Sequence, residues 1–186
     1  MEIIRKVISL GITAQTGQFE RKRIMLLNIF SLVGVVALVA AFFQSWYSGE
    51  DQRFRIVLGI GAMLFAFNPL IVVKHSHAAG LTMLFVSNCV LSFFVNTQGI
   101  GSGAFLYFFP LLLVNGWLMD FKKPLYNALL FLITLSSVVS MLIFPSPIID
   151  IAISAEIIEA SFNFNVVAAT VVMVANTIAI AFISYR

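Results

Sequence analysis

Charge is what this sequence has least of. Of its 186 residues only 10% are Asp, Glu, Lys or Arg, and 61% are hydrophobic, whereas soluble domains carry about 25% charged residues. A domain of this size buries too little volume to hide so much Phe, Leu, Ile and Val from water, so lipid has to solvate much of its surface. A water-soluble globule, a disordered chain and a nucleic-acid-binding domain are excluded together. Cysteine is nearly absent as well. Cys89 stands alone, so no intramolecular disulfide can form, and within its apolar run it counts as a small hydrophobe.

Catalytic and metal-binding signatures are missing. His75 and His77 are the only histidines, two residues apart with no Cys, Asp or Glu beside them, which reads as a solvated turn rather than a metal site. In Gly99-Ile100-Gly101-Ser102-Gly103 a nucleophile turn would need glycine where Ile100 stands, so these glycines read as a flexible turn. No HExxH, phosphate-binding glycine loop or CxxC occurs. Neither a cofactor nor a catalytic residue is expected.

What is present is a series of long apolar runs. Segments of roughly 17–25 apolar residues mark membrane helices, and six are read at about 24–43, 56–73, 78–94, 100–119, 125–144 and 162–183. Residues 1–23 form a lead-in to this six-helix domain, 24–186. The expected fold is an all-α polytopic membrane bundle with six transmembrane helices. Within the lead-in, Ile3, Ile4, Val7, Ile8 and Ile12 make an apolar stripe opposite Glu2, Arg5 and Lys6. That pattern suits a short amphipathic helix on the cytoplasmic leaflet, or equally a frayed tail. No continuous apolar core resembling a secretory signal is found there.

The few charges carry the orientation. With the N-terminus in the cytoplasm, Arg5, Lys6, Arg21, Lys22, Arg23, Lys74, Lys122, Lys123 and Arg186 fall inside, and only Arg53 and Arg55 fall outside. Nine against two is a positive-inside signal, and an even number of spans puts both termini in the cytoplasm. Arg21 to Arg23 then anchor the first span at the headgroups. The net charge of +3 is accordingly an orientation signal, with no polyanionic partner implied.

No ionisable side chain falls inside any of the six runs, which argues against ion-coupled chemistry in the bilayer core. The polar residues there are amides. Asn28, Asn68, Asn88, Asn115, Asn127, Asn165 and Asn176 place at least one in or beside every run. Either they clamp helices together or some of them, with Asn88, Asn115, Asn165 and Asn176 the candidates, line a pocket for a small ligand of unknown identity. On the last run Asn165, Ala168, Ala169, Val172, Ala175, Asn176 and Ala179 recur at helical spacing. This slim stripe, like Ser31, Gly34, Ala37 and Ala41 on the first run, serves either packing within the bundle or a homodimer contact. Asn68-Pro69 and Pro110 predict kinks. Ser154, followed by Glu156 and Glu159, predicts that the last helix starts near Ala155.

Three stretches carry a family resemblance: 20–29 (ERKRIMLLNI), 106–112 (LYFFPLL) and the acidic entry into the last helix at 156–165. Taken in order, the chain resembles the six-helix membrane domain at the N-terminus of bacterial sensor histidine kinases and, more loosely, that of membrane-bound bacterial adenylate cyclases. The resemblance implies a multi-pass protein of the bacterial inner membrane. It implies an input domain that senses an outer-face or bilayer cue and passes it through the sixth helix to a cytoplasmic kinase-type output domain. Neither the phosphorylatable His motif nor the ATP-binding half of those kinases occurs in the 186 residues, so no catalytic residue carries over. The alternative is a small carrier or channel subunit for an uncharged or weakly polar solute.

Overall fold

A computed structural model describes residues 2–118, 123–143 and 155–184. It is all-helical, with no strand among the described residues. The elements are α1 (Glu2–Ile8), α2 (Gln18–Tyr47), α3 (Gln52–Lys74), α4 (Ser76–Gln98), two short 3-10 turns (Ile100–Ser102 and Ala104–Tyr107), α5 (Phe108–Leu118), α6 (Pro124–Ile143) and α7 (Ala155–Ser184). Helices are the form that apolar chain takes in lipid, because each backbone N–H and C=O is satisfied within its own segment.

Among the described residues, four helices rather than the expected six are long and apolar enough to cross a membrane: Gln18–Tyr47, Gln52–Lys74, Ser76–Gln98 and Ile158–Ile183. Within the described residues, the stretches expected as the fourth and fifth spans hold shorter apolar helical segments, Ala104–Leu118 and Pro124–Ser136, the expected fourth span continuing into residues outside those described. Glycine is the reason that the first starts late. Gly99 and Gly103 hold φ of 75° and 74°, a left-handed conformation that costs a residue with a Cβ but not glycine. The chain therefore leaves the helix after Gln98, makes two 3-10 turns and resumes a regular helix only at Phe108.

Other boundaries also differ from the apolar runs. The first span starts well before residue 24, so Arg21, Lys22 and Arg23 lie inside α2. At 30 residues that helix is about 45 Å long, against a hydrocarbon core of about 30 Å. Only four residues join α2 to α3. Asp51 caps α3, its side chain accepting from the Arg53 N–H at 2.7 Å. A single residue, His75 at φ −145°, separates α3 from α4. Such short joints make α2, α3 and α4 sequential antiparallel neighbours, with α7 returning along α2 and α6 along α4.

Apolar side chains occur on both the inward and outward sides of the long helices. Leu26, Leu27, Phe30, Val72, Leu84, Leu118, Leu130 and Ile183 are buried, while Val36, Phe43, Met63, Phe67, Phe85, Val171 and Ile178 are exposed. Lipid is the solvent that suits such an exterior. Cys89 belongs to this exposed surface. Close approach between α4 and α6 rests on Gly80: a Cβ there would stand 2.5 Å from the Tyr126 hydroxyl. Small residues of this kind let helices meet in lipid, where no hydrophobic effect drives them together.

The N-terminal segment is docked against the bundle. The side-chain amide of Asn28 donates to the carbonyls of Ile8 (3.1 Å), the last residue of α1, and Leu10 (3.0 Å), in the turn that follows it. Gly11, at φ 86°, brings the chain against the backbone of Val73 on α3.

Candidate functional site

Two polar clusters sit at opposite ends of the bundle. The first is built on the turn between α2 and α3. Glu50 lies there, its N–H donating to the Ser45 carbonyl at 3.1 Å, and it is only 5% exposed. One carboxylate oxygen, Oε1, accepts from Gln98 Nε2 at the end of α4 (3.3 Å) and from Ser161 Oγ on α7 (2.9 Å). The other, Oε2, is buried without a hydrogen-bond partner, as is the amide oxygen of Gln98. One turn along α7, Asn165 donates to the Ser102 carbonyl in the first 3-10 turn at 3.0 Å. Glu50 and Ser102 thus hold the start of α7 against the α2–α3 turn and the α4–α5 connection.

A crevice of about 140 Å³ opens beneath this cluster. Glu50, Gln98, Gln44, Ser161 and Asn165 line its polar end. Its walls below are chiefly apolar, from Ala37, Ala41, Leu38, Leu58, Val90, Phe94 and Leu111 among others. The deepest lining residues on their helices are Phe30, Phe65, Met83, Val114 and Asn176. Beyond them Ile24, Leu27, Val72, Ala79, Leu118, Ile180 and Ile183 pack into the buried apolar cluster, which separates the crevice from a polar cavity at the far end lined by Glu20, Ser76, His77 and Lys123 among others. The crevice therefore runs about halfway through the molecule.

The second cluster occupies that far end. Arg23, only 4% exposed, directs Nη1 at His77 Nε2 (2.8 Å), while Nη2 donates to Ser76 Oγ (2.8 Å) and Glu20 Oε1 (3.3 Å). Ser76 in turn donates to Glu20 (3.3 Å). Lys123 Nζ stands 3.3 Å from His77 Nδ1, and the imidazole meets the Tyr126 ring edge-on at 4.9 Å. His77 is thus a structural joint between α2, α4 and the start of α6, not a residue of a solvated turn. Only His75 is exposed. Arg23 likewise departs from the expected headgroup anchor, because it faces inward and ties the α3–α4 joint to α2.

The four amides read as candidates separate into two pairs. Asn165 and Asn176 line the crevice. Asn88 donates to the Leu84 carbonyl of its own helix (2.8 Å), and Asn115 donates to Leu130 O (3.3 Å) and Thr134 Oγ1 (3.2 Å) on α6. In the α7 stripe Ala169 and Ala179 are buried, and Ala168, Val172 and Ala175 are half-buried, with Val172 on the crevice wall. On α2 the matching residues Gly34, Ala37 and Ala41 line the same crevice.

Glu50, Gln98 and Ser161 escape a reading by apolar runs because each lies outside a run or at its end. The one sequence signal is the Gly49-Glu50-Asp51 turn, in which Asp51 is used as a cap and Glu50 is left over. No family model, curated protein or solved structure matches this chain.

Proposed function

We propose that this chain is the membrane input domain of a signalling protein, in which occupancy of the crevice is passed along α7 to a cytoplasmic output domain. The observation that carries this reading is the placement of α7. It supplies Ser161, Asn165, Val172 and Asn176 to the crevice, then continues through the buried apolar cluster to Ile183, which is 2% exposed. A change in how the crevice is filled alters the seating of one continuous 30-residue helix, and a regular helix of that kind transmits displacement rather than absorbing it. The basic residues support an orientation with the Arg23 end in the cytoplasm and both termini there. The α5–α6 pair leaves α7 running opposite to α4. The resemblance to the membrane domains of sensor histidine kinases agrees with this arrangement and makes the bacterial inner membrane the expected location.

The buried apolar cluster also weighs against a carrier or channel, since the crevice ends at Phe30, Met83 and Asn176. The test is a fusion of residues 1–186 to a histidine-kinase catalytic core, with autophosphorylation measured in membranes. Ser161→Ala and Asn165→Ala, which release the start of α7, are expected to shift kinase output at least several-fold. Output that stays constant across both variants and across filling of the crevice would leave a membrane anchor and nothing more.

A further inference from the structure

The walls and the unpaired atoms of the crevice together specify a ligand class. We infer that the crevice binds a single-chain amphiphile with a primary ammonium head, the head at Glu50 and the alkyl chain along α7. This rests on the input-domain reading only for its consequence, not for its chemistry.

Three observations carry it. First, among the described residues that line the crevice, the buried polar atoms left without a partner are all acceptors: Glu50 Oε2, Gln98 Oε1 and Asn176 Oδ1. Their residues are 5%, 5% and 4% exposed. A ligand that satisfies acceptors must bring N–H or O–H donors.

Second, among the described residues no basic side chain pairs with Glu50. Arg53 stands beside Asp51 at 4.0 Å, and Arg55 lies over the Trp46 ring at 5.0 Å. A carboxylate held out of water without a counter-ion is costly, and an incoming cation removes that cost. An ammonium group, with three donors and a positive charge, answers both requirements, whereas a hydroxyl answers one and a carboxylate neither.

Third, the space below is long and apolar. From Ser161 to Asn176 the lining of α7 spans about 22 Å at the helical rise. A dry apolar cavity is filled by hydrocarbon rather than water. A phospholipid head would set its phosphate beside the Glu50 carboxylate, and this favours an amine without a phosphate.

The experiment uses the full chain in nanodiscs of phosphatidylcholine, which has no primary amine. Dodecylamine, dodecanol and dodecanoate, matched in chain length, are titrated while thermal unfolding is followed by tryptophan fluorescence and retained ligand is counted by native mass spectrometry. The expected order of apparent affinity is amine over alcohol by at least ten-fold, with dodecanoate weakest. Glu50→Gln is expected to erase the preference for amine while dodecanol still binds, and Val172→Phe to weaken both by occupying the wall. If Val172→Phe fails to fold, Ala37→Phe serves the same purpose from α2. Equal affinity for amine and alcohol in the unaltered chain, or an amine preference that survives Glu50→Gln, would overturn the inference. So would displacement of dodecylamine by phosphatidylethanolamine in the nanodisc, since the site would then belong to a lipid headgroup. Binding as expected with no change in the output of the kinase fusion would leave the ligand class standing and remove the input-domain reading.

Discussion

Asn68 on α3 donates from Nδ2 to Ser31 Oγ on α2 at 2.8 Å, and Ser31 passes the bond on to the Leu27 carbonyl at 2.8 Å. Both residues are 1% exposed. The pair lies next to Pro69, whose ring denies the Phe65 carbonyl its helical partner, so the amide supplies an interhelical tie where the α3 ladder is weakest. In lipid such bonds are worth about 0.6 kcal/mol on average and about 1.7 at most. A double-mutant cycle of Ser31→Ala and Asn68→Ala, read by unfolding in mixed micelles, is expected to give a coupling energy in that range. A coupling near zero would mean that the bond is no better than the contacts that replace it.

Asn28 controls the docking of the N-terminal segment. Its two bonds to Ile8 and Leu10 are the polar ties from this side chain to residues 2–12, each worth on the order of 1 kcal/mol. Asn28→Leu keeps the volume and removes both. Amide hydrogen exchange in residues 2–12 is expected to accelerate about ten-fold, with the protection of α4 unchanged. Uniform acceleration throughout the chain would show that Asn28 supports the whole bundle instead.

Arg23 serves three partners at once, Glu20, Ser76 and His77, through the fixed fork of the guanidinium. A lysine keeps the charge but not the planar set of donors. Arg23→Lys is therefore expected to destabilise the bundle by about 1–3 kcal/mol, the cost of leaving buried polar groups unsatisfied. A headgroup anchor would accept lysine without loss, so thermal unfolding of this one variant separates the two roles.

Gly80 and Tyr126 set the distance between α4 and α6. A methyl group at residue 80 meets the Tyr126 hydroxyl at 2.5 Å, and a rigid ring cannot yield as a flexible chain would. Gly80→Ala is expected to cost about 1–3 kcal/mol through overpacking, and Tyr126→Phe added to it to recover part of that loss. The same second change that worsens the first would place the clash elsewhere.

Much of the fold is legible along the chain because lipid reads composition directly. The apolar runs locate α2, α3, α4 and α7, and Gly99 and Gly103 mark where the fourth run fails to be a single helix. Run length misleads there, since 100–119 is largely apolar yet contains Gly103 at positive φ and Pro110, directly after Gly99 at positive φ, and hydropathy carries no information on φ. The last helix is described from Ala155 onward, and Ser154, the expected cap, lies outside the described residues.

The candidate site was legible only in part. Asn165 and Asn176 share the helical stripe of α7, so periodicity could place them on one face. That this face borders an open crevice, while Asn88 and Asn115 serve the backbone and α6, depends on which helices are neighbours. Glu50 is the sharper case. In sequence it is one of three polar residues in the turn between α2 and α3, and only the convergence of Gln98 and Ser161, 48 and 111 residues away along the chain, turns it inward.

The sequence alone determined the solvent, the helical class and the positive-inside signal, because each depends on residue type summed over a segment. Tertiary structure decided which charges are buried, which amides face open space and where the bundle is packed solid. Those properties belong to side chains brought together from distant segments, and no local pattern of residues encodes the distance between them.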